Sequence, residues 1–337
     1  MTEHAAKPDD ALEMHMDLAR IALKNWSNIV GEPMLVMHRE NTVFRVETAK
    51  GPAALRIHRA HYHAPGAIQS ELDWMAHLAA NGIRVPAPIA ACDGRLLIGI
   101  DDLQGQGHIV DLLTWLDGAP LGKTGQPFAQ PLSELRTVFQ NLGIEMARLH
   151  LVSDEWNRPP DFARHAWDLD GLVGDNPFWG RFWDVSGLAQ EEARLLIETR
   201  DQLRSDLGQF ANSGGDYGLI HADMVRENLL ISGVNVGLID FDDAGFGFRM
   251  FDIATALFKN RAEPHYEALK SALLDGYTSQ RPLSSLDLEA LPLFTLLRAL
   301  TYLGWGEARR HEPGMEARRA RFNADALGLA RAYLARC

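Results

Sequence analysis

The stretch Leu219-Ile220-His221-Ala222-Asp223-Met224-Val225-Arg226-Glu227-Asn228-Leu229-Leu230-Ile231 is followed, after Gly233-Val234-Asn235, by Val236-Gly237-Leu238-Ile239-Asp240-Phe241-Asp242-Asp243. Two short apolar runs on either side of a turn signal read as a β-hairpin. In an antiparallel hairpin the entrance of the first strand lies beside the exit of the second. Asn228 and Asp240 are therefore expected side by side, although a whole hairpin of sequence separates them. The loop before the first strand delivers Asp223 and His221 to the same end.

An amide oxygen and a carboxylate at one point suit a hard divalent cation, which takes oxygen ligands. A further carboxylate beside them suits a base that orients or deprotonates a hydroxyl. Phosphoryl transfer asks for this set: one carboxylate for the nucleophile, with an amide and a second carboxylate holding Mg²⁺ against nucleotide phosphates. Two other readings use the same residues. One is a polar loop with a surface carboxylate cluster. The other is a metallohydrolase, which needs several His ligands, and His221 is the only histidine of the island.

Working outward, the chain before this island is strand-rich and the chain around it helical. Ala11 to Trp26 has helical spacing; Met34 to Val46 and Gly51 to Arg59 read as strands joined at Lys50-Gly51; His63 to Asn81 is helical, with a stop at Asn81-Gly82. Val85-Pro86-Ala87-Pro88 forces extended chain. Arg95 to Ile100 and His108 to Leu113 are strands joined through Leu103-Gln104-Gly105-Gln106-Gly107. Helices are expected over Leu132 to His150, Gln190 to Leu207, Phe251 to Asn260, Pro264 to Thr278, Ser285 to Arg310 and Glu316 to Arg336. A β-rich lobe followed by a larger helical lobe is an α+β arrangement.

Composition excludes several classes. With 46 % hydrophobic and 23 % charged residues the chain carries enough apolar material for a core, which rules out extensive disorder. The net charge of −12 repels phosphate backbones and anionic lipid, so neither nucleic acid nor a membrane is an expected partner. Two cysteines, Cys92 and Cys337, are too few for a disulfide framework or a zinc site. The polar start from Met1 to Asp10 and the absence of a long uncharged run point to a cytoplasmic protein.

The spacing of His221, Asp223 and Asn228 matches the kinase catalytic loop, and Asp240-Phe241 stands where Asp-Phe-Gly would, with Asp242 in place of Gly. Together with Phe251-Asp252-Ile253-Ala254, the chain resembles the aminoglycoside phosphotransferase/choline kinase family, over about Asn41 to Arg310. Within it, Glu40-Asn41-Thr42-Val43-Phe44, the Asp-Asp after Phe241 and Leu297-Arg298-Ala299-Leu300-Thr301-Tyr302-Leu303 are similar to homoserine kinase type II and to the bacterial stress-response kinase A group. The resemblance implies a bilobal protein-kinase-like fold, with a nucleotide-binding lobe over 1–110, a hinge over 111–118 and a helical lobe over 119–337. It implies ATP and Mg²⁺ as cofactors. Asp223 is then the base, His221 supports the catalytic loop, Asn228 and Asp240 are the Mg²⁺ ligands, and Asp252 braces the loop. Read locally, Asp252 is the cap of a helix from Ile253 to Asn260.

The small lobe departs from the pattern. Where kinases carry Val-Ala-Ile-Lys, this chain has Ala53-Ala54-Leu55-Arg56, so Arg56 is the expected phosphate-binding cation. The plainer reading is an exposed arginine on an edge strand, with Arg45 as competitor. Glu71 falls on the apolar face of its helix and is expected either to pair with Arg56 or to sit solvated at the boundary. Arg39-Glu40-Asn41-Thr42 replaces the glycine-rich loop, Ala54 lies over the base, and the backbone of Asp111 to Trp115 meets adenine.

Asp242, Asp243 and Glu227 surround the expected nucleophile with carboxylate, which favours a cationic, amine-bearing acceptor. Arg298, Tyr302 and Trp305 follow helical spacing: Arg298 is placed to hold a substrate carboxylate, and the two aromatics roof the pocket or belong to the core. The aromatic segment from Trp167 to Trp183 either caps the site or packs on its lobe. The expected activity is phosphorylation of a small hydroxylated metabolite, an amino alcohol or a hydroxy-amino acid such as homoserine. A protein Ser/Thr kinase, an aminoglycoside phosphotransferase and a non-catalytic nucleotide-binding regulator are the alternatives.

Overall fold

The computed structural model describes residues 8–38, 41–60, 62–102 and 104–336. Arg39 and Glu40 of the phosphate turn, Leu103 of the strand connection, Cys337 and the polar start to residue 7 lie outside the described residues. The chain divides into two compact units, Met1–Asp117 with Asn157–Ala163, and Gly118–Trp156 with Arg164–Cys337.

The first unit contains α1 (Pro8–Leu23), β1 (Ile29–His38), β2 (Thr42–Thr48), β3 (Gly51–Ile57), α2 (Pro65–Ala80), β4 (Leu97–Asp101) and β5 (Gly107–Thr114). Its strands form one antiparallel sheet in the order β1-β2-β3-β5-β4. Gly51, at φ +118°, closes the β2–β3 turn in a conformation that a side chain disfavours. Strand periodicity then sorts the side chains. Phe44, Val46, Ala53, Leu55, Ile57, Val110 and Leu112 share a core with Leu18, Ala19 and Ala22 of α1. The alternate positions, Ala54, Arg56 and Asp111, face the other way. The Val85–Pro88 segment runs extended along β5, with Thr114 N–H donating to Ala87 O and Ile89 N–H to Leu112 O.

Two expectations need correction here. Arg56 is not on an edge: β3 is the middle strand and Arg56 is buried. The hinge does not begin at Asp111, because Asp111 to Thr114 are still paired in β5 and the units divide after Asp117.

The second unit contains β6 (Ala119–Pro120), α3 (Leu132–Asp154), β7 (Ala166–Trp167), α4 (Leu169–Val173), α5 (Gln190–Asn212), β8 (Tyr217–Ile220), a 3₁₀ turn (Arg226–Asn228), β9 (Leu229–Ser232), β10 (Asn235–Leu238), β11 (Gly245–Phe248), α6 (Arg249–Phe258), α7 (Tyr266–Thr278), α8 (Ser285–Glu289), α9 (Leu291–Ala308) and α10 (Met315–Leu334). The hairpin is β9–β10, in register from Ser232↔Asn235 to Leu229↔Leu238. Its turn is Gly233-Val234, one residue shorter than the sequence reading, because Asn235 already pairs. β11 extends the island beyond Phe241 by pairing antiparallel with β8 and parallel with β7. The single helix expected from Ser285 to Arg310 is two. Pro292, in the first turn of α9, has no N–H to continue the α8 ladder. Among the described residues no helix is long and apolar enough to cross a membrane.

Candidate active site

β8 ends at Ile220 and the chain turns sharply through His221, Ala222 and Asp223. Ala222 takes a left-handed φ of 63°, a conformation that costs about 1–2 kcal/mol for a residue with a Cβ. Asp252 holds that turn. Its Oδ1 accepts from Ala222 N–H at 2.6 Å and its Oδ2 from His221 N–H at 2.9 Å and from His150 Nε2 at 3.0 Å. Asp252 is fully buried in the first turn of α6, which starts at Arg249, so it caps no helix of its own. Burial would raise its carboxyl, but the hydrogen bond from His150 and the neighbouring N–H groups outweigh that and keep it below the usual range. His150 is pushed down to about 4 by burial, with the Arg249 charge adding to it. It is thus neutral near pH 7, donating from Nε2 to Asp252 and accepting at Nδ1 from the Tyr277 hydroxyl at 2.8 Å.

His221 is also fixed at both ring nitrogens. Nε2 donates to Ile239 O at 3.1 Å, and Nδ1 accepts from Asp223 N–H at 3.3 Å. Burial lowers its basicity, which fits this single neutral tautomer. The ring packs on Phe241, centroids 4.5 Å apart. His221 thus ties the loop to the end of β10, with both ring nitrogens hydrogen-bonded.

Asp223 sits in a web of donors. Asn228 Nδ2 donates to Asp223 Oδ2 at 2.8 Å and to its carbonyl at 3.0 Å. Arg298 Nη2 donates to Asp223 Oδ1 at 2.5 Å, and lies 2.8 Å from the Tyr302 hydroxyl. With its amide nitrogen committed, Asn228 turns its carbonyl oxygen away from Asp223. On the other strand, Ile239 N–H donates to Asn228 O at 3.0 Å, and Asp240 follows at a left-handed φ of 67°. An amide oxygen and a carboxylate at adjoining positions fit a hard divalent cation. Among the described residues no three His, Cys, Asp or Glu side chains are grouped to hold a metal, so most of its ligands would come from phosphate and water, the habit of Mg²⁺.

The run after Asp240 is held by its carbonyls. Arg164 donates to Phe241 O at 3.0 Å, Asp242 O at 2.5 Å and Ala244 O at 2.6 Å. His165 Nε2 and Trp167 Nε1 meet Asp243 O at 2.9 and 2.8 Å. Burial and the charge of Asp223 push the Asp243 carboxyl up to about 8. Glu227 lies elsewhere in its bonding: Oε1 accepts from Thr124 N–H at 2.6 Å and Oε2 from the Thr124 hydroxyl at 2.9 Å. It anchors the 121–127 loop. The aromatic segment packs: Trp167 is buried and stacks on Phe251, centroids 5.4 Å apart, and Trp179 reaches Arg298. Tyr302 belongs both to the core, stacked between Phe258 and Phe322, and to the site through its hydroxyl.

Sequence reading missed Arg164, His150 and Lys259. No local motif marks them, because each acts on residues remote in sequence.

In the first unit, Arg56 donates from Nη1 to Glu71 Oε1 at 2.8 Å, and from Nε and Nη2 to Asp111 at 2.9 and 2.7 Å. His58 Nε2 lies 2.6 Å from the same Asp111. Burial would raise Asp111, but the charges of Arg56 and His58 bring it down to about 2. Glu71 is fully buried in this network, and not solvated at a boundary. Arg45 pairs instead with Glu47 at 3.0 Å and keeps 39 % of its side chain exposed. Ala54 is half-buried opposite Leu113 and Arg45, and Asn41 Oδ1 accepts from Arg59 N–H at 3.3 Å.

A family model described as the phosphotransferase enzyme family matches residues 37–286. The chain belongs to that family. This phosphotransferase is 31 % identical to the homoserine kinase of Agrobacterium fabrum over 272 residues, covering 78 % of this chain and 75 % of that protein. Among solved structures, a microcompartment-associated aminopropanol kinase superposes with a TM-score of 0.80 at 32 % identity, covering 95 % of this chain and 97 % of that one. An amicoumacin kinase in complex with AMP-PNP, Ca²⁺ and amicoumacin shares the fold, with a TM-score of 0.75 at 20 % identity and 96 % of each chain covered. The resemblance seen in the motifs is thus borne out, and so is the α+β protein-kinase-like fold. The metallohydrolase reading ends here, since the chain belongs to the phosphotransferase family.

Proposed function

We propose that this phosphotransferase is an ATP- and Mg²⁺-dependent kinase that phosphorylates a hydroxyl of a small amine-bearing metabolite, an amino alcohol or a hydroxy-amino acid. The observation that carries the reading is the link from Asp223 through Asn228 to the Ile239–Asp240 strand end, which gathers a base and two oxygen ligands in one hairpin. The relatives support the acceptor class: homoserine and aminopropanol both carry a hydroxyl and an amine on a short chain. The AMP-PNP and Ca²⁺ of the amicoumacin kinase complex support a nucleotide and a divalent cation.

In this reading Asp223 orients the acceptor hydroxyl and takes its proton as the O–P bond forms. Asn228, through Oδ1, and Asp240 hold Mg²⁺, which neutralises charge on the nucleotide phosphates when bound. Asp252 and His221 position the loop. Asp242 supplies negative charge toward the acceptor's ammonium, Asp243, raised to about 8, meets it as a neutral acid, and Glu227 serves the loop at Thr124. The unit that ends at Asp117 is the nucleotide lobe: Arg56, fixed by Glu71, faces the phosphates, Ala54 the base, and Asn41 the phosphate turn.

The test is a panel of hydroxylated amines and amino acids, with ADP release as the signal and Asp240→Ala as the blank. Acceptor-stimulated ADP release that the variant lacks supports the reading. Signal on protein acceptors alone, or none above the blank, overturns it.

A further inference from the structure

Beside Asp223 the second unit holds a group of donors that lack acceptors. Arg298 is fully buried, and its Nε and Nη1 have no hydrogen-bond partner among the described residues. The indole Nε1 of Trp179, whose ring lies 4.9 Å from the Arg298 guanidinium carbon, has none either. Lys259, at the end of α6, makes no ion pair or hydrogen bond among the described residues; its ammonium rests 3.7 Å from the centre of the Tyr302 ring. Arg298 stands 4.5 Å from that same centre. Two cations thus converge on one ring, and burial together with the charge of Arg298 pulls Lys259 down to about 7.

Buried donors without acceptors are costly, on the order of 1–3 kcal/mol each. Cation–π contacts with Trp179, Tyr302 and Phe251 offset part of that cost but accept no N–H in the ring plane. Among the described residues the acid hydrogen-bonded to Arg298, Asp223, takes only Nη2 and keeps 21 % of its side chain exposed, and Asp243 lies close enough to act on the same guanidinium, so the group adjoins solvent at the reacting carboxylate.

We propose that Arg298, Lys259 and Trp179 Nε1 form a receptor for a carboxylate on the acceptor, so that the substrate is a zwitterionic hydroxy-amino acid and not an amino alcohol. This rests on the kinase reading above and narrows it. Asp242 complements the ammonium, the donor group complements the carboxylate, and the hydroxyl is left for Asp223. Such a site rejects an acceptor that lacks the carboxylate, because its buried donors then stay unpaired.

L-homoserine and its decarboxylated form, 3-aminopropanol, differ only in that group. With the full chain and MgATP, homoserine is expected to have the higher kcat/KM by roughly 100-fold or more. Lys259→Gln and Trp179→Phe are each expected to raise the homoserine KM by roughly tenfold and to narrow the preference. Arg298→Lys is the direct variant, but a buried arginine resists exchange, so the two milder variants decide. Equal use of the two acceptors, or a preference unchanged in both variants, overturns the carboxylate receptor while leaving the kinase reading intact. If no acceptor is turned over, the kinase reading fails, and calorimetry still decides the receptor. Homoserine binding that weakens in Lys259→Gln upholds it, and absence of binding overturns it.

Discussion

Asp223 and Arg298, far apart in sequence, are joined by a hydrogen bond of 2.5 Å between Oδ1 and Nη2. The other oxygen, Oδ2, accepts from Asn228 at 2.8 Å. Both oxygens are thus oriented by protein donors before any substrate arrives, which is how a base is preorganised without being consumed. Asp223→Asn keeps one oxygen for Arg298 but cannot take a proton. A fall in kcat of roughly 10³-fold is expected, within the range for a lost general base, with nucleotide affinity near the parental value. Single-turnover kinetics and titration with a fluorescent ATP analogue check it. Near-parental turnover would remove Asp223 from the role of base.

Asp252 is the sole acceptor for two N–H groups of a strained loop and for one imidazole. Asp252→Ala leaves those donors buried and unpaired, so a loss of about 3–5 kcal/mol in unfolding free energy is expected. Asp252→Asn keeps one acceptor oxygen and is expected to lose less. Equilibrium urea unfolding reads both. A cost below about 1 kcal/mol for the alanine variant would mean that the loop holds itself.

His150 gives stability a defined dependence on pH. Its folded value, about 4, lies below its ordinary value of 6.5. Between those two values the unfolded chain binds the extra proton and the folded chain does not, so stability is complete above 6.5 and is lost as pH falls toward 4. The loss is a few kcal/mol at most. Asp252, depressed below its ordinary 3.8, adds a second loss of the same sign only below that value. Asp243, raised to about 8, contributes with the opposite sign over the same range, so the His150 share is read as a difference: between pH 7.5 and 4.5 the melting temperature is expected to fall less, or rise more, in His150→Gln than in the parent. A parallel slope in the variant would assign the dependence to other groups.

The hairpin was legible because two short apolar runs and a glycine turn mark it, and its register sets Asn228 against Ile239. Glu71 was legible as inward-facing from its apolar neighbours Ile68, three residues before it, and Met75, four after it. Asp111 was not: it reads as one polar residue in a strand, and only the β3–β5 pairing shows that it meets Arg56. β11 was hidden because Gly245 and Gly247 carry no strand signal. A Cβ on Gly247 would overlap the Ile220 side chain, so packing excludes the residues that would have announced the strand. The Arg298–Asp223 pair joins α9 to the catalytic loop, and no spacing rule connects elements so far apart.

Arg56 separates a structural role from a functional one. It gives two donors to Asp111 and one to Glu71, both fully buried. Arg56→Ala takes the guanidinium from two buried carboxylates and leaves Asp111 with His58, and a loss of about 3–5 kcal/mol is expected. Arg56→Lys restores the charge but not the planar fork that reaches both acids, so partial recovery is expected. The deciding variant replaces the whole network, Arg56→Met with Glu71→Leu, Asp111→Leu and His58→Leu, because well-packed apolar residues often match a buried ion network in stability. Its unfolding free energy is expected near the parental one. If Arg56 serves the nucleotide phosphates, the KM for ATP in this folded variant rises by tenfold or more, on the order of one lost charged contact. An unchanged KM with restored stability would make the network purely structural, and the phosphate-binding cation would have to be another residue.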